Sequence, residues 1–334
     1  MKRSLELLKQ LSVIVIIAIA VVSCKESGMK LKPEISGKAG EIIVVVDKSY
    51  WETEIGSEIR GFLAKDYPMI PQKEPSFTLI NIPPSAFSSM LQIHRNIIII
   101  NIDKKYTESK VELKEDIWSS PQIVVVINAP DSMAALSIIK EKSEVIYSAI
   151  DQAERNRIIR NSKIYEEKSL RDLVSEEFGG SPFFPKGYSL KKQSENFIWI
   201  SYETTKTNQG IFVYRIPYSD STSMTIDNLI NFRNEILKTN VPAMLENSYM
   251  TTTTQVAPQM RWIKYKGKTF AEVRGLWEAQ NDFMGGPFIQ HAFFNEQRGD
   301  ILVMEGFVYA PGTDKRNMLR QVESIIYSFE WGGK

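Results

Sequence analysis

The chain has 334 residues, with 41 Lys and Arg against 40 Asp and Glu, two His and one Cys. So even a balance leaves no basic footprint for nucleic acid, and so few thiols and imidazoles exclude a thiolate or multi-histidine metal centre. An apolar content of 43% is ordinary for packed globular structure, and the length suits two domains.

Lys2, Arg3 and Lys9 form a positive start, and Leu11 to Val22 is an apolar run of about a dozen residues. That is too short to span a bilayer, which needs about 20, but suits a signal peptide. Val21-Val22-Ser23-Cys24 then resembles a lipobox. The resemblance implies cleavage before Cys24, thioether lipidation of Cys24 and acylation of the new amino terminus. One acyl chain gives marginal binding at about 0.8 kcal/mol per buried CH₂, whereas several chains hold a folded body at the membrane. No other cysteine is present, and a body of this size needs no disulfide. An Asp after the cysteine would resemble an inner-membrane retention signal. Lys25 stands there instead, which favours the outer membrane and leaves the facing side open. Residues 1–23 are therefore expected to be a signal peptide and 24–40, "KESGMKLKPEISGKAG" after the cysteine, a lipidated polar tether.

"EIIVVVD" (Glu41 to Asp47) predicts a buried strand, and Ser49 a cap for a helix over Tyr50 to Lys65. "FTLINIP", "NIIIINI" (Asn96 to Ile102) and "QIVVVINAP" (Gln122 to Pro130) read as further strands covered on both faces. Asp131 or Ser132 caps a long helix with Ala135, Leu136, Ile139, Val145, Ile146, Ala149 and Ile150 on its apolar side. Glu154, Arg155, Arg157 and Arg160 then read as a solvated face. A second helix runs from Ser169 to Phe178 and stops at Gly179-Gly180. Strands follow over Tyr188 to Glu203 and Gly210 to Tyr218, then a helix from Thr225 to Lys238. Met260 to Glu278 reads as a hairpin turning at Lys266-Gly267, with Arg261 opposite Glu272. Phe288 to Tyr309 is a second hairpin, and Asn317 to Tyr327 a closing helix with Leu319, Val322, Ile325 and Ile326 facing in.

In the second hairpin the odd positions of both strands are mainly apolar, so odd should pair with odd. A three-residue loop, Gln297 to Gly299, would place Ile289 opposite Phe307, Phe293 opposite Val303 and His291 opposite Glu305. A His291–Glu305 pair on an apolar face is either an acid–base unit, with Asp282 beside it, or an internal structural hydrogen bond. No His-Glu-x-x-His, Gly-x-Ser-x-Gly or P-loop occurs. "LWEAQNDFMGGPFIQH" (Leu276 to His291) is the densest unusual stretch. Trp277 and Phe283 are candidates to line a ligand groove, with Glu278, Asp282 and His291 as polar contacts and Arg274 a further ligand-binding candidate; a connection packed by its own aromatics is the other reading.

"PKGYSL", "SYMTT", "RGLWEAQNDFMGGPF" and "GFVYAPGTDKRNMLRQVE", together with the lipobox, resemble a Bacteroidota lipoprotein family known as domain of unknown function 4837. The resemblance implies an envelope location and assigns no chemistry. The expected architecture is an α/β N-terminal half (41–165) and an α+β C-terminal half (166–331) of antiparallel sheet with packed helices, behind the signal peptide and tether. The expected protein is a lipid-anchored binding or assembly module of the cell envelope. Its partners are the membrane and an envelope protein or small ligand, with no cofactor or metal. The alternative is an envelope hydrolase using His291 and Glu305. Intact-mass spectrometry of the native protein is expected to find an amino terminus at Cys24 carrying acyl mass. A Cys24→Ala form should lose that mass and leave the detergent phase.

Overall fold

The computed structural model describes residues 32–332. Cys24 and the lipobox lie outside these residues. The first sheet comprises β1 (Glu41–Val45), β2 (Thr78–Ile82), β3 (Asn96–Ile102), β4 (Lys110–Glu115) and β5 (Ile123–Ala129), in the order β2-β1-β3-β5-β4. The first four strands in that order run parallel, and β4 adds antiparallel to β5. Lys110 and Lys114 both reach Glu112, at 2.8 and 3.1 Å, along this edge. Such a charged edge resists pairing with another chain, and its lack of a continuous apolar run hid it from the sequence reading.

Two short helices, α1 (Lys48–Trp51) and α2 (Glu54–Leu63), replace the single helix expected over 50–65. Thr53, not Ser49, supplies the cap, accepting from the Ile55 amide at 3.4 Å. A Cβ on Gly56 would sit 1.9 Å from the Trp51 carbonyl oxygen, so glycine permits this sharp junction. After α3 (Ser89–Gln92), helix α4 spans Ser132–Ile164, and the Asp131 side chain caps it by accepting from the Ala134 amide at 2.9 Å. One face of the sheet, with Ile42, Val44, Ile98 and Val125, packs on Ile55 and Ile59 of α2 and on Ile139, Ile146 and Ile150 of α4. Phe87, Leu91 and Trp118 cover the other face over Ile43, Val45, Ile97 and Val124.

Helix α5 (Lys168–Phe178) ends at Gly179 in the left-handed conformation. A two-residue strand β6 (Gly180–Ser181) follows, then β7 (Ser189–Ser194), β8 (Phe197–Glu203), β9 (Asn208–Pro217) and α6 (Ile226–Asn240). The chain continues through β10 (Tyr249–Thr252), β11 (Gln259–Tyr265), β12 (Lys268–Gln280), β13 (Gly285–Asn295), β14 (Asp300–Tyr309), α7 (Arg316–Tyr327) and β15 (Glu330–Trp331). Strands β7 to β14 build an antiparallel sheet in the order β10-β12-β13-β14-β9-β8-β7, with β11 also paired to the long β12, while β6 and β15 pair with each other as a separate two-stranded ribbon. Leu319, Val322, Ile325 and Ile326 of α7 pack on Ile289, Phe293, Leu302 and Met304, and α5 adds Val174 and Phe178. The reverse face meets α6 through Leu229 and Leu237 over Phe212, Tyr214, Phe288 and Val303. Among the described residues no helix is long and apolar enough to cross a membrane.

The second hairpin corrects the expected register. Its loop has four residues, closed by the pair Asn295–Asp300, with Gly299 N donating to Asn295 O at 2.8 Å. His291 therefore pairs with Met304, Glu305 with Gln290, and Phe307 with Phe288. One extra loop residue sends His291 and Glu305 to opposite faces of the sheet. Residues 34–40 also depart from a tether, since Glu34 and Ser36 make parallel bridges to Ser120 and His94.

A Cβ on Gly286 would sit 2.0 Å from the Val308 carbonyl oxygen, whereas one on Gly61, inside α2, meets nothing within 4 Å. Gly286→Ala is expected to lose roughly 1–3 kcal/mol or more through backbone displacement, and Gly61→Ala to gain about 0.5–1 kcal/mol. Urea midpoints of the two variants check both signs.

Candidate binding site

Glu323 on α7 and Glu272 on β12 are 3% and 1% exposed, and each sits on an apolar face of its element. Glu323 lies in the helical stripe of Leu319, Val322 and Ile326. Glu272 alternates into the core with Phe270 and Arg274. Glu323 Oε1 accepts from Arg274 Nη2 at 2.8 Å and Arg155 Nη2 at 3.2 Å, and Oε2 from the Tyr67 hydroxyl at 2.8 Å. Glu272 Oε1 accepts from Arg274 Nε at 2.9 Å and Arg261 Nε at 2.8 Å, and Oε2 from the Tyr327 hydroxyl at 2.8 Å. Arg155 also bonds Asp151 at 2.8 Å and lies 4.0 Å over the Tyr327 ring. Tyr67, Asp151 and Arg155 come from the first half of the chain and the other members from the second, so the network joins the two.

This network forms the inner wall of an open cleft of about 840 Å³. Tyr67, Tyr147, Tyr265 and Tyr327 line it, with Arg155, Arg261 and Arg274 among them and the exposed Lys65, Asp66 and Glu144 toward solvent. Gln152 of α4 donates to the Tyr265 hydroxyl at 3.2 Å, holding the β11–β12 hairpin against the helix. One buried donor on this wall, Arg274 Nη1, has no hydrogen-bond partner.

The electrostatics favour holding charge over moving protons. Burial alone would raise the Glu323 carboxyl, but the Arg274 and Arg155 guanidiniums outweigh it and bring it down to about 2. Burial likewise opposes ionisation of Glu272, and Arg274, His291 and Arg261 overcome it and hold the carboxyl well below the usual range. Burial, then the adjacent carboxylates, push the Tyr67 and Tyr327 hydroxyls up. Glu323, Glu272, Tyr67 and Tyr327 are thus all shifted away from neutral pH, where efficient general acid–base work needs its groups.

The structure disperses most of the residues singled out from sequence. His291 is sealed at 0% exposure between the Phe270 and Tyr327 rings, 4.3 and 4.5 Å away between centroids. Its Nε2 lies 3.5 Å from Glu272 Oε2, too long for a good hydrogen bond, and burial lowers its pKa. Glu305, also 0% exposed, takes a two-pronged pair from Arg233 of α6 at 2.9 and 2.7 Å, with the guanidinium 3.9 Å over Phe288. The expected His291–Glu305 unit is thus absent. Two separate buried contacts replace it, on opposite faces and shut off from substrate.

Trp277 is buried, donating from Nε1 to the Val308 carbonyl at 3.2 Å. Phe283 is fully exposed, and Asp282 accepts from the Met244 amide at 3.2 Å. Glu278 pairs with Thr251 and Gly285 within the sheet. Trp277 and Phe283 consequently share no groove, and of these candidates only Arg274 lines the cleft. Among the described residues no group of three or more His, Cys, Asp and Glu side chains is arranged to hold a metal.

Glu323, Tyr67, Arg155 and Tyr327 escaped the sequence reading. The available signal was a charge inside an apolar stripe: Glu323 continues Leu319 at i+4. The same holds for Glu154 and Arg157, which extend the buried Ile146–Ile150 stripe of α4 by four and seven residues from Ile150. The expectation of a solvated face is corrected there, since both are buried.

Residues 167–328 match the family described as "Domain of unknown function (DUF4837)", and residues 35–163 match "Domain of unknown function (DUF8532)". The C-terminal half thus carries the domain that its sequence resembles. No curated protein matches significantly. Among solved structures, the Saccharomyces cerevisiae Ran-binding protein Mog1p is similar at 10% identity and a TM-score of 0.30, covering 46% of this chain and 90% of that one. The human StarD13 (DLC2) lipid transfer and protein localization domain is similar at 10% identity and a TM-score of 0.22, covering 48% and 95%.

A carboxylate whose pKa is lowered on folding stabilises fully above its unfolded value, about 4.3, and loses that contribution as pH falls. For Glu323 the loss is expected between about pH 5 and pH 2, given its folded value of about 2. Glu323→Gln leaves two guanidiniums short of a charge partner and is expected to cost about 3–5 kcal/mol at pH 7, with a shallower fall below pH 5. Urea unfolding at pH 7, 5, 4 and 3 checks both effects.

Proposed function

We propose that this protein is a binding module of the cell envelope, held at the outer membrane by lipid on Cys24, and that its ligand seat is the cleft walled by Arg274, Arg155 and the four tyrosines. The observation that carries the seat is the buried, unpartnered Arg274 Nη1 on the wall of a cleft of about 840 Å³. A buried donor left unpaired costs about 1–3 kcal/mol, which an anionic group at that position would recover. Arg and Tyr are also, with Trp, the side chains enriched at the energetic centres of binding surfaces. The exposed Asp66 and Glu144, held only in loose surface ion pairs with Lys73 at 3.6 Å and Lys65 at 3.8 Å, suit an ammonium at the solvent side of the same ligand. A free amino acid or short peptide has both groups, and its carboxylate is the part Arg274 reads. The ion network fixes the seat in advance, so binding orders little of the protein. The placement at the membrane rests on the lipobox resemblance.

Isothermal titration of the full-length protein in detergent with di- and tripeptides, each as free acid and as C-terminal amide, tests the seat. Free acids are expected to bind with Kd at or below about 1 mM and amides roughly tenfold more weakly. Arg261→Ala, at the exposed rim, should weaken both forms. Equal affinity for acid and amide, or no saturable binding by any member, would remove the seat from this cleft.

A further inference from the structure

Helix α4 turns a second charged face away from the cleft. Glu154 is fully buried, and its Oε1 accepts from Asn96 Nδ2 at 2.7 Å and Arg157 Nη1 at 2.9 Å and forms an ion pair with Arg95 Nε at 3.0 Å. Two guanidiniums thus share one carboxylate oxygen. Arg157 is further tied to the carbonyls of Pro121 at 2.9 Å and Arg95 at 2.7 Å and to Asn96 Oδ1 at 2.9 Å, so it is a fixed charge. Burial pushes its guanidinium down to about 10; Glu154 opposes this and Arg95 adds to it. Asp116 also acts on Arg157, but it lines a separate, smaller hollow with Arg160.

On this side lies a groove of about 410 Å³. Its cations are Arg95, Arg157 and the exposed Lys186, and no Asp or Glu lines it. The remaining polar lining is amide and hydroxyl: Asn161, Ser162, Gln209, Gln321 and the Tyr188–Tyr202 pair, whose ring centroids are 5.8 Å apart. Gln209 is 6% exposed, and its Oε1 has no hydrogen-bond partner. A buried amide oxygen without a donor is uncommon and leaves room for a water or a ligand hydroxyl to donate to it.

We propose that this groove is a second binding site, distinct from the cleft, that takes an acidic saccharide: a sugar ring bearing one carboxylate or phosphate. The three cations against a wall without carboxylates select the oxyanion. Gln209, Asn161 and Gln321 offer the mixed donors and acceptors that sugar hydroxyls need, and Tyr202, 38% exposed, offers a ring face. The volume is near the small end of ligand pockets, about 300–1,000 Å³, and suits one or two sugar units.

Titration of the full-length protein with sodium glucuronate, glucose 1-phosphate, glucose and inorganic phosphate tests this. Both sugar acids are expected to bind with Kd at or below about 1 mM, tighter than phosphate by roughly tenfold, and glucose not at all. Raising salt should weaken both. Lys186→Glu should weaken both acids about tenfold or more, and Tyr202→Ala should bring them down to the affinity of phosphate. Both side chains are surface-exposed, so the variants retain the fold. Arg261→Ala, in the cleft, should leave these affinities unchanged. The inference is overturned if neither acid saturates below about 10 mM, if phosphate alone binds as tightly as both, or if Lys186→Glu and Tyr202→Ala bind like the parent.

Discussion

The Glu323 carboxylate holds this molecule together. It stands on a helix of the second half, inside an apolar stripe, and its partners Tyr67 and Arg155 belong to the first. A buried carboxylate loses several kcal/mol of hydration, and that loss is offset only when its lone pairs are filled by well-placed donors. Glu323 is satisfied only in the register that also brings Tyr67 and α4 to it. The helix bearing it begins under the same constraint. Glu74, from the first half, accepts from the Lys315 and Arg316 amides at 2.7 and 2.9 Å, supplying the N-terminal cap that α7 lacks in its own sequence. Residues from Glu34 onward accordingly form one compact unit, although two large sheets, a two-stranded ribbon and two family matches fall within them.

The same geometry explains why a cleft survives between the halves. Apolar surfaces meeting there would close down to interior packing density. A wall of interlocked Arg, Glu and Tyr cannot, because its hydrogen-bond directions are fixed and nearly every donor is committed. Arg274 is the clearest case, with Nε on Glu272, Nη2 on Glu323 and Nη1 left toward no partner. The rigidity that keeps the cleft open also keeps Glu323 and Glu272 ionised and Tyr67 and Tyr327 protonated, a state suited to holding a charged ligand.

Much of the fold was legible because its central strands are β-branched runs and its last helix has a clean stripe. β1, β3, β5, the β11–β12 turn and the inward residues of α7 fall where periodicity puts them. Failures came where one local choice outweighed periodicity. Gly56 and Thr53 split a helix that the pattern draws as one. Asn295 takes a four-residue loop where a three-residue loop fitted the apolar faces, and that single residue moved His291 away from Glu305. The sites were less legible because their residues are far apart in sequence: Tyr67, Arg155, Glu272 and Glu323 each look like ordinary surface chemistry alone. Only the interruption of apolar stripes by Glu154, Arg157 and Glu323 marked them.

Helix α4 links the two sites by arithmetic. At 100° per residue, Asp151 and Arg155 lie about 40° apart, while Glu154 and Arg157 form a second pair centred about 110° round the helix from the first. The first pair faces the cleft and joins a network in which carboxylates and guanidiniums are nearly matched. The second lies on the groove side, where Arg157 lines the groove and the buried Glu154 behind it serves two guanidiniums. A helix serving only the first sheet had no need to extend past Ile150, its last buried contact there. It continues to Ile164, and its extension carries the charges that both sites use. The two ligand preferences, mixed charge on one face and anion on the other, therefore follow from where that one helix places four side chains.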